Sequence, residues 1–265
     1  MNAPANTPAE WLVPDWPAPA GVRALCTTRT GGFSTLPYDS LNLGSHVGDD
    51  AGTVARNRAA LHAATGVRPV FLNQVHGHKM LALAPGTPDN LSADAAFTHH
   101  KGLACTVMVA DCLPILLYDR HGSMVAAVHA GWRGLAGVAG VGILEEVHKL
   151  FRPLAPVKYA REAIDMIAWL GPCIGPDAFA VGADVMTAFA QDNPNTLQHF
   201  RPWRDGKWLA NLPALARQRL NALGVTGVFG NDGSPAWCTV GNPSRFFSHR
   251  RDGVSGRQAA CIWLE

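Results

Sequence analysis

Three side chains that can bind a metal or act in catalysis occupy the same kind of position in the sequence. His76 lies in Asn-Gln-Val-His-Gly, Cys112 in Ala-Asp-Cys-Leu-Pro and His129 in Val-His-Ala-Gly-Trp-Arg-Gly, so each follows an apolar run and closely precedes a glycine or proline. Strand ends and the loops after them are where α/β proteins place ligand sites. Taken singly, a cysteine is also a small hydrophobe and a strand histidine a satisfied core group. The recurrence of one pattern at three places favours a shared site.

Two imidazoles and one thiol permit three kinds of chemistry. Zinc accepts both ligand types, and three protein ligands leave the fourth tetrahedral position for water or substrate, as in catalytic zinc sites. Two histidines and a cysteine also describe a blue-copper centre. The third interpretation is a metal-free Cys-His pair, in which an imidazole takes the thiol proton and creates a nucleophile. The separations along the chain match no compact metal motif, so spacing leaves all three open.

The overall composition narrows the class of protein. The 265 residues include 22 Lys or Arg and 20 Asp or Glu, a formal net charge of +2, so the basic excess of a nucleic-acid binder is missing. With 48% hydrophobic and 16% charged residues, the chain can bury a large core. Six scattered cysteines without a C-x-x-C pair predict reduced thiols, and neither a secretory signal nor a bilayer-spanning run is evident. We expect a cytoplasmic protein without nucleic-acid or membrane partners, acting as a monomer or small homo-oligomer.

The apolar runs and turn residues predict a mixed α/β chain. Five of the first twenty residues are prolines, which excludes a helix and predicts an N-terminal arm over 1–21. The remainder, 22–265, is predicted to be one α/β (α+β layered) domain with a mixed sheet. Strands are predicted over 22–28, 70–75, 105–110, 115–118, 124–129, 164–170 and 259–264, and helices over 51–65, 134–150, 183–190 and 212–223. Asp49 or Asp50 is the predicted cap of the first helix, and Gly66 is its predicted stop.

Several motifs, in this order, resemble the YfiH-like family, also described as laccase-domain or polyphenol oxidase proteins. They are the three segments around His76, Cys112 and His129, together with Thr-Arg-Thr-Gly-Gly at 28–32, Ser-Leu-Asn-Leu at 40–43, His-Val-Gly-Asp-Asp at 46–50, Asn-Arg at 57–58, Gly-Pro-Cys-Ile-Gly-Pro at 171–176 and Arg-Arg-Asp-Gly at 250–253. The resemblance runs from about residue 22 to the C-terminus. It implies a single α/β domain of helices layered around β-sheet. It also implies that His76, Cys112 and His129 are the catalytic residues and the ligands of a zinc ion.

The resemblance further implies a purine nucleoside phosphorylase, which converts adenosine, inosine, guanosine or methylthioadenosine and phosphate into the base and a ribose 1-phosphate. Adenosine deaminase activity is credited to the family as well. Two alternatives stay open, a Cys-His hydrolase that edits peptidoglycan precursors and a copper-dependent polyphenol oxidase (laccase). A multicopper cluster needs many histidines, yet only His76 and His78 form an H-x-H pair. The P-C-x-x-C signature of nucleobase deaminases is also incomplete, because Cys173 in Pro-Cys lacks the second cysteine.

Phosphorolysis requires an anion site, a wall for the purine and contacts for the ribose. Arg29 stands beside two glycines and can offer paired donors to phosphate. Trp132 and Arg133 follow His129 and can stack on a purine. The other predicted substrate-binding residues are Asn42, His46, Arg58 and Cys173, and Arg250 and Arg251 can contact phosphate or pair with acids.

Asp111 directly precedes Cys112. On a strand the two side chains would point to opposite faces. We therefore predict that Asp111 anchors hydrogen bonds and is not a metal ligand.

Overall fold

The computed structural model describes residues 7–151, 166–225 and 227–265. In chain order its strands are β1 (Val22–Cys26), β2 (Arg68–Phe71), β3 (Met80–Ala82), β4 (Ala95–Thr98), β5 (Leu103–Val109), β6 (Leu113–Asp119), β7 (Val125–Ala130), β8 (Met166–Leu170), β9 (Ala180–Val181), β10 (Phe200–Pro202), β11 (Trp208–Ala210), β12 (Gly227–Gly230) and β13 (Gln258–Leu264). Its α-helices are α1 (Ala51–Thr65), α2 (Trp132–Ala136), α3 (Ile143–Leu150), α4 (Ala183–Ala190), α5 (Leu212–Ala222) and α6 (His249–Asp252).

Two mixed sheets form the centre of the molecule. The smaller has the order β1-β13-β5-β2, and β2 is its parallel member. The larger has the order β12-β8-β6-β7-β4-β3, with parallel pairs at its two ends and antiparallel pairs between them. Strands β9, β10 and β11 make a further small antiparallel sheet. The predicted single mixed α/β domain is confirmed.

Apolar side chains fill three layers around these sheets. Ala24, Val70 and Val107 of the smaller sheet meet Leu116 and Val125 of the larger sheet in the central layer. The outer face of the smaller sheet packs with Leu61 of α1, and the outer face of the larger sheet packs with α2, α3, α4 and α5. Because neighbouring residues of a strand face opposite sides, both faces of β5, β6 and β7 are buried. Burial on both faces explains why these strands are continuous apolar runs in the sequence.

Helix α1 begins and ends as the sequence predicts. The Asp50 side chain accepts a hydrogen bond from the amide of Thr53 at 2.7 Å. At the other end Gly66 has φ 70° and donates its amide to the carbonyl of His62. This left-handed conformation costs glycine nothing and other residues about 1 kcal/mol or more. Helix α4 occupies its predicted range, and α5 ends one residue before the predicted end at 223.

The single helix predicted over 134–150 is wrong, because a turn divides it. Helix α2 ends at Ala136 and α3 begins at Ile143. Between them Gly137 has φ 72°, and the backbones of Val138 and Val141 form a bridge. A Cβ on Gly137 would overlap the carbonyl of Val141, so the chain reverses here through glycine.

The strand predicted over 70–75 forms only as far as Phe71. Beyond it, the Gln74 side chain donates to the carbonyl of Met108 at 2.8 Å and accepts the amide of Met108 at 2.7 Å. A side chain thus takes the place of backbone as the partner of β5, and the chain leaves the sheet before His76. Of the strand predicted over 164–170, residues 166–170 form β8 and the first two lie outside the described residues.

The proline-rich segment packs against the body of the protein. Trp11 is buried, and Leu12 forms a backbone bridge with Cys26. The Tyr118 hydroxyl donates to the carbonyl of Pro17 at 2.8 Å. The division into an arm and a domain at residue 21 stays a prediction. In the described ranges, the helices are too short or too polar to cross a membrane.

Candidate metal centre

Three potential ligands converge beside the ends of β6 and β7, the two central strands of the larger sheet. One ligand atom from each of His76, Cys112 and His129 lies within 4.8 Å of the other two. The Sγ atom of Cys112 is 3.7 Å from Nε2 of His76, and the two imidazole rings meet edge-on with centroids 4.8 Å apart. His129 is buried, Cys112 is half-buried and His76 is exposed. The group could therefore bind one metal ion and leave one side open.

Unusual backbone conformations direct two of these side chains into the group. His76 has φ 60°, and Asp111, immediately before Cys112, has φ 98°. Residues other than glycine rarely adopt positive φ, and surrounding contacts must hold them there. The Asp111 carboxylate accepts hydrogen bonds from the Thr239 hydroxyl and the Arg250 amide, both at 2.6 Å. Asp111 thus anchors hydrogen bonds as predicted, although it lies in a turn and not on a strand.

Gly131 provides the space in which the three side chains meet. A Cβ at this position would lie 2.9 Å from Cδ2 of His76 and 3.3 Å from Sγ of Cys112. The first distance is shorter than ordinary carbon–carbon contacts, which begin at about 3.5 Å. A larger residue at position 131 would push His76 away from Cys112.

Asp94 holds two of the potential ligands in place. Its carboxylate is fully buried, and Oδ1 lies 2.8 Å from Nδ1 of His129. The same carboxylate accepts the backbone amides of His76 at 2.8 Å and Gly77 at 2.7 Å. This contact occupies Nδ1 of His129 and leaves Nε2 for a ligand, an arrangement that orients histidines in many metal sites.

The charges in this group favour a thiolate at Cys112. Burial raises the pKa of the Cys112 thiol, but the charge of His129 and hydrogen bonds from both histidines lower it to about 6. Burial lowers the pKa of His129, and the opposing effects of Cys112 and Asp94 raise it to about 9. Burial also raises the pKa of Asp94, yet the hydrogen bonds from His129, Gly77 and His76 leave it below the usual value. At neutral pH the group holds a thiolate, which is the form that binds metals.

The group opens into a cavity of about 450 Å³. Apolar side chains of Met108, Phe179 and Leu212 form part of its wall. Several cationic or potentially cationic side chains also line it, namely His46, Arg133, His249, Arg250 and Arg257. A cavity of this size, with apolar walls and a few convergent polar groups, suits a small organic ligand that carries negative charge.

The structure divides the predicted substrate-binding residues into two sets. His46, Trp132 and Arg133 line the cavity together with the three potential ligands. Arg29, Asn42, Arg58 and Cys173 are not among its lining residues, and each has partners elsewhere. Arg29 binds Asp39 and the carbonyl of Pro243. Arg58 binds the carbonyl of Leu43 and covers the ring of Phe71.

The two remaining residues are buried. Asn42 has no exposed surface and bonds to Asp49, to Gly44 and to the amide of Arg257. The Cys173 thiol is buried beside the amide of Asn231, 3.4 Å from its nitrogen. Arg251 also turns away from the cavity, since it pairs with Asp252 and binds carbonyls of 239, 240 and 246.

Sequence reasoning missed Asp94 and Arg257. The only signal for Asp94 was its position as an acid directly before the short apolar run that forms β4. Arg257 precedes β13 in a segment without any motif that points to a site. Asp94 reaches His129, and Asn42 accepts the amide of Arg257, through contacts between distant parts of the chain.

Fold and site together define a layered α/β protein in which an open His-Cys-His group faces a cavity. The chain belongs to the family described as multi-copper polyphenol oxidoreductase laccase, whose model matches residues 23–265. This match confirms the laccase-domain resemblance that the motifs indicate.

Similar proteins agree with this membership over almost their whole lengths. A Pseudomonas aeruginosa protein named purine nucleoside phosphorylase is 46% identical over 257 residues, which are 96% of this chain and 98% of that protein. The Escherichia coli protein named purine nucleoside phosphorylase YfiH is 45% identical over 255 residues, with the same coverage. A crystal structure of a Neisseria meningitidis protein superposes with a TM-score of 0.85 at 45% identity and covers 97% of this chain and 99% of that one.

Proposed function

We propose that this protein is a zinc-dependent purine nucleoside phosphorylase. The observation that carries the proposal is the open His76, Cys112 and His129 group on the wall of a cavity large enough for a nucleoside. The names of the full-length relatives support the same activity. Adenosine, inosine, guanosine and methylthioadenosine are the proposed nucleoside substrates, with inorganic phosphate as the second substrate.

The donor set fits zinc. Two imidazoles and a thiolate are common zinc ligands, and His129 has its second nitrogen bound to a carboxylate. When bound, zinc supplies a Lewis acid with a fourth position open to water or substrate. Copper is the alternative metal, because it accepts the same three donors.

The proposed reaction is a group transfer at the ribose. An oxygen of phosphate forms a bond to C1′, and the bond from C1′ to N9 of the purine breaks. The electron pair of that bond stays on N9, which takes up a proton, so the products are the free base and ribose 1-phosphate. Trp132 and Phe179 offer aromatic surface for the purine, and the cationic side chains of the cavity offer donors for phosphate.

The first experiment joins metal analysis to a product assay. We expect about one zinc per chain and phosphate-dependent release of base from the four nucleosides. Cys112→Ala should lose both metal and activity. Cys238→Ala is the matched control, because Cys238 is another half-buried free thiol but lines a different cavity. Full activity in Cys112→Ala, or release of base that does not depend on phosphate, would contradict the proposal.

Adenosine deamination is proposed as a second reaction of the same centre. Water would replace the amino group of adenosine, so that inosine and ammonia form. The measurement is ammonia release without phosphate. We expect Cys112→Ala to lose both ammonia release and phosphorolysis.

A Cys-His hydrolase is the second candidate function, and the thiolate at Cys112 favours it. The thiolate would attack the carbonyl carbon of an amide, as in a peptidoglycan precursor, and the amine would leave with a proton from His129. Water would then release the acyl group from sulphur and regenerate the thiol. Covalent trapping of Cys112 by a substrate analogue in metal-stripped, active protein would support this candidate over zinc catalysis.

Polyphenol oxidase chemistry is the weakest candidate. Within the described residues, His76, Cys112 and His129 are the one group of this kind, whereas multicopper oxidases use several copper sites. A location in the cytoplasm and a monomeric or small homo-oligomeric state stay predictions, as does the lack of nucleic-acid and membrane partners.

A further inference from the structure

Arg257 lines the cavity, and its guanidinium donates hydrogen bonds from one of its three nitrogens in the described structure. Its Nη1 donates to the carbonyls of Ser255 at 2.7 Å and Gly256 at 3.0 Å. Among the described residues, Nε and Nη2 of Arg257 have no hydrogen-bond acceptor, and the side chain lines the cavity. Nε and Nη2 form the edge of a guanidinium that can bind two oxygens of one anion.

The backbone and side chain of Arg257 are held firmly. The fully buried Asn42 accepts the amide of Arg257 at 2.9 Å through Oδ1. Gly44 lies so close that a Cβ there would be 2.8 Å from Cγ of Arg257. These contacts fix the side chain before any ligand binds, which lowers the entropy cost of binding.

Arg257 also lies within the electrostatic reach of the candidate metal centre. Burial lowers the pKa of Arg257, and the charges of Asp111 and Cys112 oppose that shift. Arg257 in turn contributes, after burial, to a lowered pKa of His46. Arg257, Cys112 and His46 all line the same cavity.

The cavity carries more positive than negative charge. Among the described residues, its wall contains three arginines, Arg133, Arg250 and Arg257, and two anionic groups, the Asp111 carboxylate and the Cys112 thiolate. Asp111 is already bound to the Thr239 hydroxyl and the Arg250 amide. Arg257 is only partly buried and has no ion-pair partner in the described part of the chain, so an anion bound in the cavity would gain charge-assisted hydrogen bonds from it.

The two other arginines are less suited to hold that anion. Arg250 is exposed, donates from Nη1 to the carbonyl of Ala180 and lies over the ring of Phe179. Arg133 is exposed and lies over the ring of Trp132. Arg257 combines a fixed position, partial burial and a free bidentate edge.

We propose that Arg257 is the oxyanion-binding residue of the cavity, with Nε and Nη2 bonding two oxygens of a phosphate beside Cys112, and with His46 as a further donor. This proposal rests on the proposed function and deepens it, because it assigns the site of the phosphate substrate. We expect the bound group to be inorganic phosphate. The 5′-phosphate of a nucleotide is the alternative, because it offers the same oxygens to Arg257.

The direct test is calorimetric titration of inorganic phosphate into wild-type protein, Arg257→Gln and Arg257→Lys at matched metal content. We expect phosphate binding to weaken about ten- to hundredfold in Arg257→Gln, which loses a pair of charged hydrogen bonds. The phosphate affinity of Arg257→Lys should lie between those of the wild type and Arg257→Gln, because lysine keeps the charge but lacks the planar guanidinium. Arg56→Gln, which removes an exposed charge outside the cavity, is the matched control and should bind as wild type. Equal affinity in wild type and Arg257→Gln would overturn the proposal.

A second arm separates the two phosphate sources. A nucleoside 5′-monophosphate should bind no more tightly than its nucleoside. If its binding depends on Arg257 while that of inorganic phosphate does not, the proposed source is wrong. Phosphate should also protect Arg257 of the wild-type protein from phenylglyoxal, read by mass spectrometry, and a lack of protection would count against the site without any variant.

Kinetics distinguish failure of this site from failure of the proposed function. Arg257→Gln should raise KM for phosphate and leave KM for the nucleoside unchanged. Phosphorolysis with an unchanged phosphate KM would overturn the assignment of Arg257 and leave the function intact. Phosphate binding that depends on Arg257, without any nucleoside cleavage, would overturn the proposed function and leave the assignment of Arg257 intact.

Discussion

Asp94 and His129 form a fully buried pair in which Oδ1 of the acid lies 2.8 Å from Nδ1 of the histidine. The contact decides that Nε2 of His129 is the nitrogen left for a ligand. Because Asp94 also accepts the amides of His76 and Gly77, one carboxylate positions two potential metal ligands that are far apart in sequence. The geometry of the centre thus depends on a residue that is not itself one of the three ligands.

Replacing this acid should weaken metal binding. Asp94→Asn keeps the size of the side chain but removes the charge that orients and supports His129. We expect zinc affinity to fall about ten- to hundredfold, the range found for such supporting residues. The measurement is competition for zinc with a chelator. Asp192→Asn, an exposed change outside the cavity, should leave the affinity unaltered, and equal loss in both variants would contradict a specific role.

Cys112 of the metal-free protein should react with iodoacetamide at unusually low pH. Its pKa is lowered to about 6 against the effect of burial, and only the thiolate reacts. The rate should therefore fall as pH drops through about 6 and level off above it. In His129→Gln the midpoint should move up, because the imidazolium that favours the thiolate is lost. Peptide mapping by mass spectrometry identifies the alkylated residue, and a wild-type midpoint near that of a free thiol would refute this expectation.

A methyl group at Gly131 should damage both stability and the site. The added Cβ of Gly131→Ala would lie too close to His76 and Cys112. Overpacking of this kind costs about 1–3 kcal/mol of the free energy of unfolding. Urea unfolding and zinc titration measure the two effects. Gly21→Ala, whose Cβ would meet only an ordinary contact at 3.9 Å, is the control, and wild-type zinc affinity in Gly131→Ala would show that the space is not needed.

Trp132 should contribute to nucleoside binding and not to phosphate binding. Base stacking on an aromatic side chain is worth about 1–3 kcal/mol, so Trp132→Ala should raise KM for the nucleoside about tenfold or more. KM for phosphate should stay within error of the wild type. Trp203→Ala removes a partly exposed tryptophan outside the cavity and serves as the control. A shift in phosphate KM alone would contradict the assignment.

Removal of the metal should lower the thermal stability of the folded protein. Zinc that binds only the folded state at 100 times its dissociation constant adds about 2.7 kcal/mol to the free energy of unfolding. Chelation should therefore lower Tm, and zinc should restore it. In Cys112→Ala the zinc-dependent part of the shift should vanish, whereas Cys238→Ala should retain it. Identical Tm values with and without zinc in the wild type would contradict binding to the folded state.

The elements that carry the site were largely predictable from local patterns. The apolar runs that became β5, β6, β7 and β13 were visible because their strands are buried on both faces. The caps of α1 were visible because capping depends on residues next to the helix. The long helix over 134–150 was not correctly predicted, because its break depends on how Gly137 packs against Val141 and not on helix propensity alone.

The sequence by itself determined that His76, Cys112 and His129 can serve as ligands, because donor chemistry is a property of the side chain. Only the tertiary structure decided how they are arranged and supported. Asp94 reaches His129 across paired strands, and Asn42 fixes Arg257 from the other end of the chain. It also decided that Arg29 and Arg58 bind the body of the protein while Arg257 faces the cavity. The physical reason is that hydrogen bonds and burial depend on distances in space, which chain separation does not encode.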